Sequence, residues 1–338
     1  MKFLKKIVFI PVLGLVLAGC NPSSTATVTV AVANERVARA MGQTALSGTL
    51  NSLTMSLSGD LDLTVANFDA EDTLLNEMSL ESSATLDLKA KDLGKETMAA
   101  SLVATASLKL VEDDEEVFNE SVTASAYLSE MWLYLNATGV GELLGMEEAN
   151  LKGKVNVEGM LDLEALPVPT TELTSAEFEE MTGMLETMLM EVETVSAKET
   201  NGDLVVTYTI TLEDIVDIIV AAATFDNSEM TTSEIEAFRQ EGMTELAKLV
   251  KINSAKIVVG VSKLGYLNRL DVDVDVILTI ENYESDYVDY EYVEVFTGKT
   301  VVHIDTLVAF AMDINGNVTI TLPTDLDTYP LIEESQNF

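Results

Sequence analysis

From Ser52 to Val65 apolar and polar residues alternate almost without a break. Leu53, Met55, Leu57, Leu61, Leu63 and Val65 fall on one side of the alternation. Thr54, Ser56, Ser58, Asp60, Asp62 and Thr64 fall on the other. Successive side chains of a strand point to opposite faces of its sheet, so a period of two predicts one buried face and one wet face. At about 3.4 Å per residue this strand runs roughly 45 Å, longer than the usual strand. The pattern returns at Ala84-Leu86-Leu88-Ala90, Leu102-Ala104-Ala106-Leu108-Leu110 and Val122-Ala124-Ala126-Leu128, then at Met131–Leu135 and Val155–Leu163. Further along, Leu204 to Ile210, Ile257 to Val261, Leu270 to Leu278 and Val302 to Met312 repeat it. Asn315-Gly316 then turns the chain into a last predicted strand, Val318-x-Ile320-x-Leu322-Pro323. One-sided burial with short polar connections predicts an antiparallel meander of about ten strands.

Helical spacing occurs once before the strands and three times among them. Val32, Val37 and Met41 mark a short first helix. After the Pro167-Val-Pro169 break, Thr174-x-x-Glu177 reads as a capping box, and Phe178, Met181, Leu185, Met188 and Val192 form one stripe. Thr211 is placed to cap a helix over Leu212–Ala223, apolar almost all round and therefore expected between layers. A second capping box, Thr231-x-x-Glu234, opens the last helix, with Ile235, Phe238, Leu246 and Leu249 on one face. No break in composition divides the chain, so residues 45–330 are expected to form a single α+β domain, followed by a tail over 331–338.

Charge excludes some functions. The 338 residues carry 57 Asp and Glu against 19 Lys and Arg, a formal charge of −38, yet 47% are hydrophobic. That apolar content is enough for a core, and the acidity argues against nucleic acid, whose phosphates attract Lys and Arg. One His (His303) and one Cys (Cys20) nearly exclude His- or Cys-based metal sites and nucleophiles. No phosphate-cradling Gly loop and no nucleophile elbow are present, and carboxylates are too abundant for one pair to stand out. The expectation is a protein without cofactor or metal that is not an enzyme.

The N-terminus carries an address. Lys2, Lys5 and Lys6 precede the apolar run Ile7–Leu17, which is short for a membrane span and ends in small residues. Leu17-Ala18-Gly19-Cys20 resembles a bacterial lipobox. Such a signal implies removal of residues 1–19 and joining of the Cys20 thiol to diacylglycerol, with residues 20–44 as a lipidated tether and short helix. Loss of three lysines and no acid moves the formal charge from −38 to −41. At about 0.8 kcal/mol per buried methylene, two or three acyl chains hold a protein stably on a membrane. The expected location is the extracytoplasmic face of the cell membrane, or the outer membrane of a two-membrane envelope, with the protein a monomer.

The order of elements, a lipobox, a small helix, long antiparallel strands, helices mid-chain and a second set of strands, resembles the bacterial lipoproteins of the LolA/LppX/LprG-like superfamily. The hairpin Ala255-Lys-Ile-Val-Val-Gly-Val-Ser-Lys-Leu-Gly-Tyr-Leu-Asn-Arg-Leu-Asp271 and the closing Ile314–Pro323 are its most similar parts. The resemblance implies a long curved antiparallel sheet, an incomplete or half β-barrel, with helices covering its concave apolar face. It also implies acyl chains or lipoprotein lipids as ligands on that face.

Candidate ligand residues follow from the apolar face. Leu86 and Leu88 stand beside the small side chains of Ala104, Ala106, Ala124 and Ala126, which either leave volume for acyl chains or let helices approach closely. Met181, Met184 and Met188, with Ile215 and Ile219, would close such a pocket, because unbranched Met adapts to irregular apolar ligands. Helical spacing explains these methionines as core rather than as copper ligands. The Asp271-x-Asp273-x-Asp275 run and His303 fit the wet face of strands, and Glu112–Glu116 fits a hairpin tip. Tyr283, Tyr287, Tyr290 and Tyr292, in an acidic stretch, fit an edge hairpin. Two functions stay open: a membrane-anchored carrier of a lipid or other amphipathic ligand, and a structural or interaction lipoprotein whose core is filled by its own helices.

Overall fold

The alternation builds one sheet. The computed structural model describes residues 28–42, 50–139 except 94 and 96, 150–158, 175–225, 231–288 and 291–332. Cys20, the signal segment, Pro167–Pro169 and the expected cap Thr174 lie outside the described residues. The strands are β1 Ser52–Asp69, β2 Leu74–Lys91, β3 Ala99–Glu112, β4 Glu115–Ser129, β5 Trp132–Thr138, β6 Asn150–Asn156, β7 Thr194–Thr200, β8 Asp203–Thr209, β9 Val250–Val261, β10 Leu267–Val288 and β11 Glu291–Ile314. The helices among the described residues are α1 Val30–Gly42, α2 Ser175–Met190, α3 Leu212–Phe225 and α4 Thr232–Leu249.

The sheet order is β6-β5-β4-β3-β2-β1-β11-β10-β9-β8-β7, antiparallel at every step. Two meanders are thus joined where the first strand pairs with the last, Leu53 opposite Ile314 through Asp69 opposite Gly298. The end strands β6 and β7 do not pair with each other, so the sheet is an open, incomplete barrel. The tight hairpins use two-residue turns with both residues at positive φ: Asp113-Asp114, Glu130-Met131 and Asn201-Gly202. That geometry matches the twist of the flanking strands. The Asn-Gly turn and the hairpin tip at Glu112–Glu116 are legible in sequence; the Glu130-Met131 turn is not.

Every strand presents its apolar positions to the same side. One rung runs Ala124–Ala104–Leu86–Leu57–Phe310–Leu270–Val259–Val206–Ala197 across nine strands. The opposite side is polar, with cross-strand hydroxyl pairs Ser83–Ser107 at 2.7 Å and Thr85–Thr105 at 2.6 Å. Helices lie on the apolar side. Helix α1 sets Ala33, Val37 and Ala40 against Leu204, Val206, Val259, Val261 and Phe310, forming the main core. The stripe expected at Val32, Val37 and Met41 is therefore off at its start. Val32 is 48% exposed and Ala33 is buried, because alanines at 33 and 40 let the helix backbone approach the sheet.

Helix α2 packs on α1 and α3, and α3 lies between α2 and α4, as its all-round apolar surface requires. The Asp214 carboxylate, buried at the start of α3, accepts from the backbone N–H of Thr211 at 2.6 Å and of Glu193 at 2.9 Å. Helix α4 has no buried residue; the Thr231–Glu234 capping box and the pairing of Arg239 with Asp217 and Glu213 hold it.

Three sequence expectations are corrected. Of the strand expected at Val155–Leu163, the described part belongs to β6 Asn150–Asn156, whose last residue stands opposite Trp132 at the start of β5; residues 159–163 lie outside the described residues. Residues 317–323 form no strand: both edges of β11 are already taken by β1 and β10. Asn315 instead accepts from the Asn51 N–H at 2.7 Å and ties down the start of β1. The tyrosine-rich stretch is not at an edge. Tyr283, Tyr287 and Tyr292 lie on the central β10–β11 pair where it runs beyond both neighbours, whose pairing stops at Leu278 and Gly298, and Tyr290 lies outside the described residues.

One buried polar link pins the layers. The Tyr208 hydroxyl donates to Asn34 Oδ1 at 2.9 Å, and Asn34 Nδ2 donates to the Leu189 carbonyl at 3.0 Å, joining β8, α1 and α2. Burial raises the Tyr208 pKa. Asn34→Leu strands a buried hydroxyl and a carbonyl. Urea unfolding is expected to show a loss of about 2–4 kcal/mol, whereas Tyr208→Phe, which removes only the donor, costs about half of that.

Candidate functional site

The apolar side of the sheet differs along its width. Beneath α1 the rungs of β8–β11 are sealed: Leu204 and Val206 are 0% exposed and Phe310 is 4% exposed. Over β1–β3 the same side is open, and Leu57, Met78 and Leu108 are each 39% exposed. The helix layer explains the difference, because α1 contacts β7, β8, β9 and β10, and α3 and α4 meet the sheet chiefly at β9 and β10. Among the described residues, no helix rests mainly on β2–β5.

The candidate residues divide accordingly. Leu86, Ala104 and Ala124 share one rung of β2, β3 and β4. Leu88 and Ala126 share the rung on one side of it, through Leu102, and Ala106 lies on the rung on the other side, opposite Ala84. All these strand positions are together on the open part. Met181, Met184 and Met188 on α2, and Ile215 and Ile219 on α3, are half-buried in the helical layer above β7–β10. The structure does not bring the two groups into one pocket. Among the described residues no helix packs on these alanines. They form a shallow strip of low relief beside Leu57, Leu86 and Leu88. Cys20 lies outside the described residues.

Sequence reasoning missed two clefts. The larger, about 740 Å³, opens where β8 leaves the sheet at Thr209 while β9 continues to Val250, and Ile210, Leu212, Ala247, Val250, Ile252 and Asn253 line it. A signal was present: Asn253-Ser254 breaks the alternation of β9, and Asn253 is the residue skipped between the Asp275–Ser254 and Val276–Ile252 pairs. The second, about 450 Å³, lies between the β9–β10 turn and the end of β11, lined by Asp203, Ser262, Tyr266, Asp313 and Asn315. Neither is lined by a residue singled out from the sequence as a ligand contact.

The charged motifs lie on the outer face. Asp275 accepts from Asn253 Nδ2 at 2.9 Å and sits 2.8 Å from His303 Nε2; Asp271 accepts from Arg269. Among the described residues, no cluster of three or more His, Cys, Asp or Glu side chains is arranged to hold a metal, and no helix is long and apolar enough to cross a membrane.

No protein-family model matches the sequence, and no curated protein matches it. Among solved structures, the chain is similar to a beta-barrel-like protein of domain of unknown function DUF1849 from Brucella abortus. The two are 10% identical, the match covers 79% of this chain and all of that one, and the TM-score is 0.13. A likeness that slight carries no argument.

The Asn253 amide, and then His303, hold the Asp275 carboxyl below the usual carboxylate range. A depressed carboxylate contributes stability above its unfolded pKa of about 3.9 and loses it as pH falls through the lower folded value. In an NMR titration, Asn253→Ala is expected to move the Asp275 pKa up toward about 3.9.

Proposed function

We propose that this protein is a membrane-anchored extracytoplasmic lipoprotein, held by acylated Cys20, that binds a lipid or similar amphipathic ligand against the open apolar surface of β1–β4. The reading places it with lipoproteins of the LolA/LppX/LprG-like type. It is a non-enzymatic reading, in which acyl chains leave water for the sheet and no bond is made or broken. The observation that carries it is the contrast along one sheet face, sealed at Phe310 and Val206 and 39% exposed at Leu57 and Leu108. An apolar surface continuous with a protein core and left to solvent marks a site for a partner or a ligand. The low strip at Ala104 and Ala124 gives chains a bed, and the rim at Leu57, Leu86 and Leu88 gives them walls. The rungs beneath α1 are buried at Leu204, Val206 and Phe310, which favours the open strands over a chamber under that helix.

Two measurements test this. Native mass spectrometry of the protein made without its lipobox Cys is expected to show co-purified lipid of defined mass. Uptake of a fluorescent fatty acid should weaken by about tenfold or more in a Leu57→Asp/Leu108→Asp double variant, because each charge stands where an acyl chain would lie. Thr123→Asp, on the polar face, should leave uptake unchanged. A ligand-free protein that takes up no fatty acid would sink the carrier and leave the interaction lipoprotein.

A further inference from the structure

The larger cleft has the form of a missing strand. Strand β9 pairs with β10 along its length, but β8 covers it only from Val261 to Lys256. The last backbone contact on that side is the Ile210 N–H to the Ala255 carbonyl, at 2.7 Å. From Lys251 to Ser254 the outer edge of β9 faces the cleft, and no described strand pairs with it there. A strand edge turned to open space is a template for an added strand. Here the template sits in a notch of about 740 Å³ closed on one side by Ala247 of α4 and on the other by Thr211 and Leu212. Two or three extended peptide residues would pair with the edge, each pair of residues advancing about 6.8 Å.

The lining selects the occupant. Ile210, Leu212, Val250 and Ile252 give an apolar floor, which suits the inward positions of an alternating segment. Lys251 and Lys256, both exposed, stand at the rim with a single lining carboxylate, Asp273. Two lysines at one notch are a local reversal in a chain with three acids for each base. Charge complementarity therefore favours a ligand bearing Asp or Glu. We propose that the β9 notch is a binding site for an extended, acidic segment of a partner protein, which adds to the sheet beside Lys251–Ser254. Backbone pairing gives the affinity and the alternate side chains give the selectivity. The site is separate from the lipid-binding surface proposed above and does not depend on it.

The test uses the full chain in neutral detergent and a set of blocked heptapeptides with Glu at two alternate positions and Val, Leu or Ile between them. Fluorescence anisotropy is read at about 0.15 M salt, where weak surface attraction is screened. At least one acidic peptide is expected to bind, with slowed amide exchange at Lys251–Ser254. Its backbone N-methylated form should fail to bind, since it cannot pair with a strand edge. Lys251→Glu/Lys256→Glu should weaken binding by about tenfold or more, and Ala247→Trp, which fills the notch from the exposed side of α4, should do the same. The proposal is overturned if no acidic peptide binds, or if the N-methylated peptide binds equally well. Peptides with Lys in place of Glu binding as tightly, or protection at the β7 edge instead of Lys251–Ser254, would also overturn it.

Discussion

An open sheet with most of its apolar strand residues on one side must hide that side from water, and the described helices cover only part of it. That constraint governs the rest of the molecule. Strand alternation leaves no freedom in which side chains face inward: a slip of one residue would expose every leucine of β1 at once. The long register from Leu53–Ile314 to Asp69–Gly298 makes the two meanders one surface. Helix α1 then seals the strands of the second meander with Ala33, Val37 and Ala40, and α2, α3 and α4 stack around it. Burying each Val or Leu of that core contributes about 1.5–3 kcal/mol relative to exposure. The strands of the first meander receive no such cover from the described helices; Ala90 and Leu128 are buried, but Leu57, Met78 and Leu108 remain 39% exposed.

The strands were legible because period two is a strong local signal wherever one face meets water. Ser52–Val65 and Leu270–Leu278 announced both their type and their inward side. The capping box at Thr231–Glu234 was legible for a similar reason, since it depends on residues three apart. What failed depended on distant partners. Val155–Val157 continues the alternation, but pairing stops at Asn156, opposite the start of β5 at Trp132. Residues 317–323 also alternate, but β11 has no free edge. The site was half legible. The alternation identified the strand residues Leu86, Ala104 and Ala124 as sharing a face. No local pattern tells which strands a helix will rest on, so Met181 and Ile215 could not be assigned to a different part of the same sheet face. The notch on β9 left only a trace, the polar pair Asn253-Ser254.

Charge has a different role from apolar pattern. Acids occupy the wet sheet face, the hairpin tips and the outer surface of α4, where they keep the chain soluble without dictating its fold. The buried polar groups that do matter to the architecture are few and neutral or locally satisfied: Asn34 with Tyr208, and Asp214 with two backbone N–H groups. A protein tethered by its N-terminus would present this acidic body to anionic lipid headgroups, and repulsion would hold the body off the bilayer while an apolar face stays free for a ligand.

The most direct test of that apolar face is photolabelling with a fatty acid that carries a diazirine in its chain, followed by peptide mapping of the attached sites. Labels on the inward positions of β1–β4, among them Leu57, Leu86, Ala104 and Ala124, are the expected result. Labels confined to the helices α2 and α3, or spread evenly over both sheet faces, would contradict a ligand seated on the open strands.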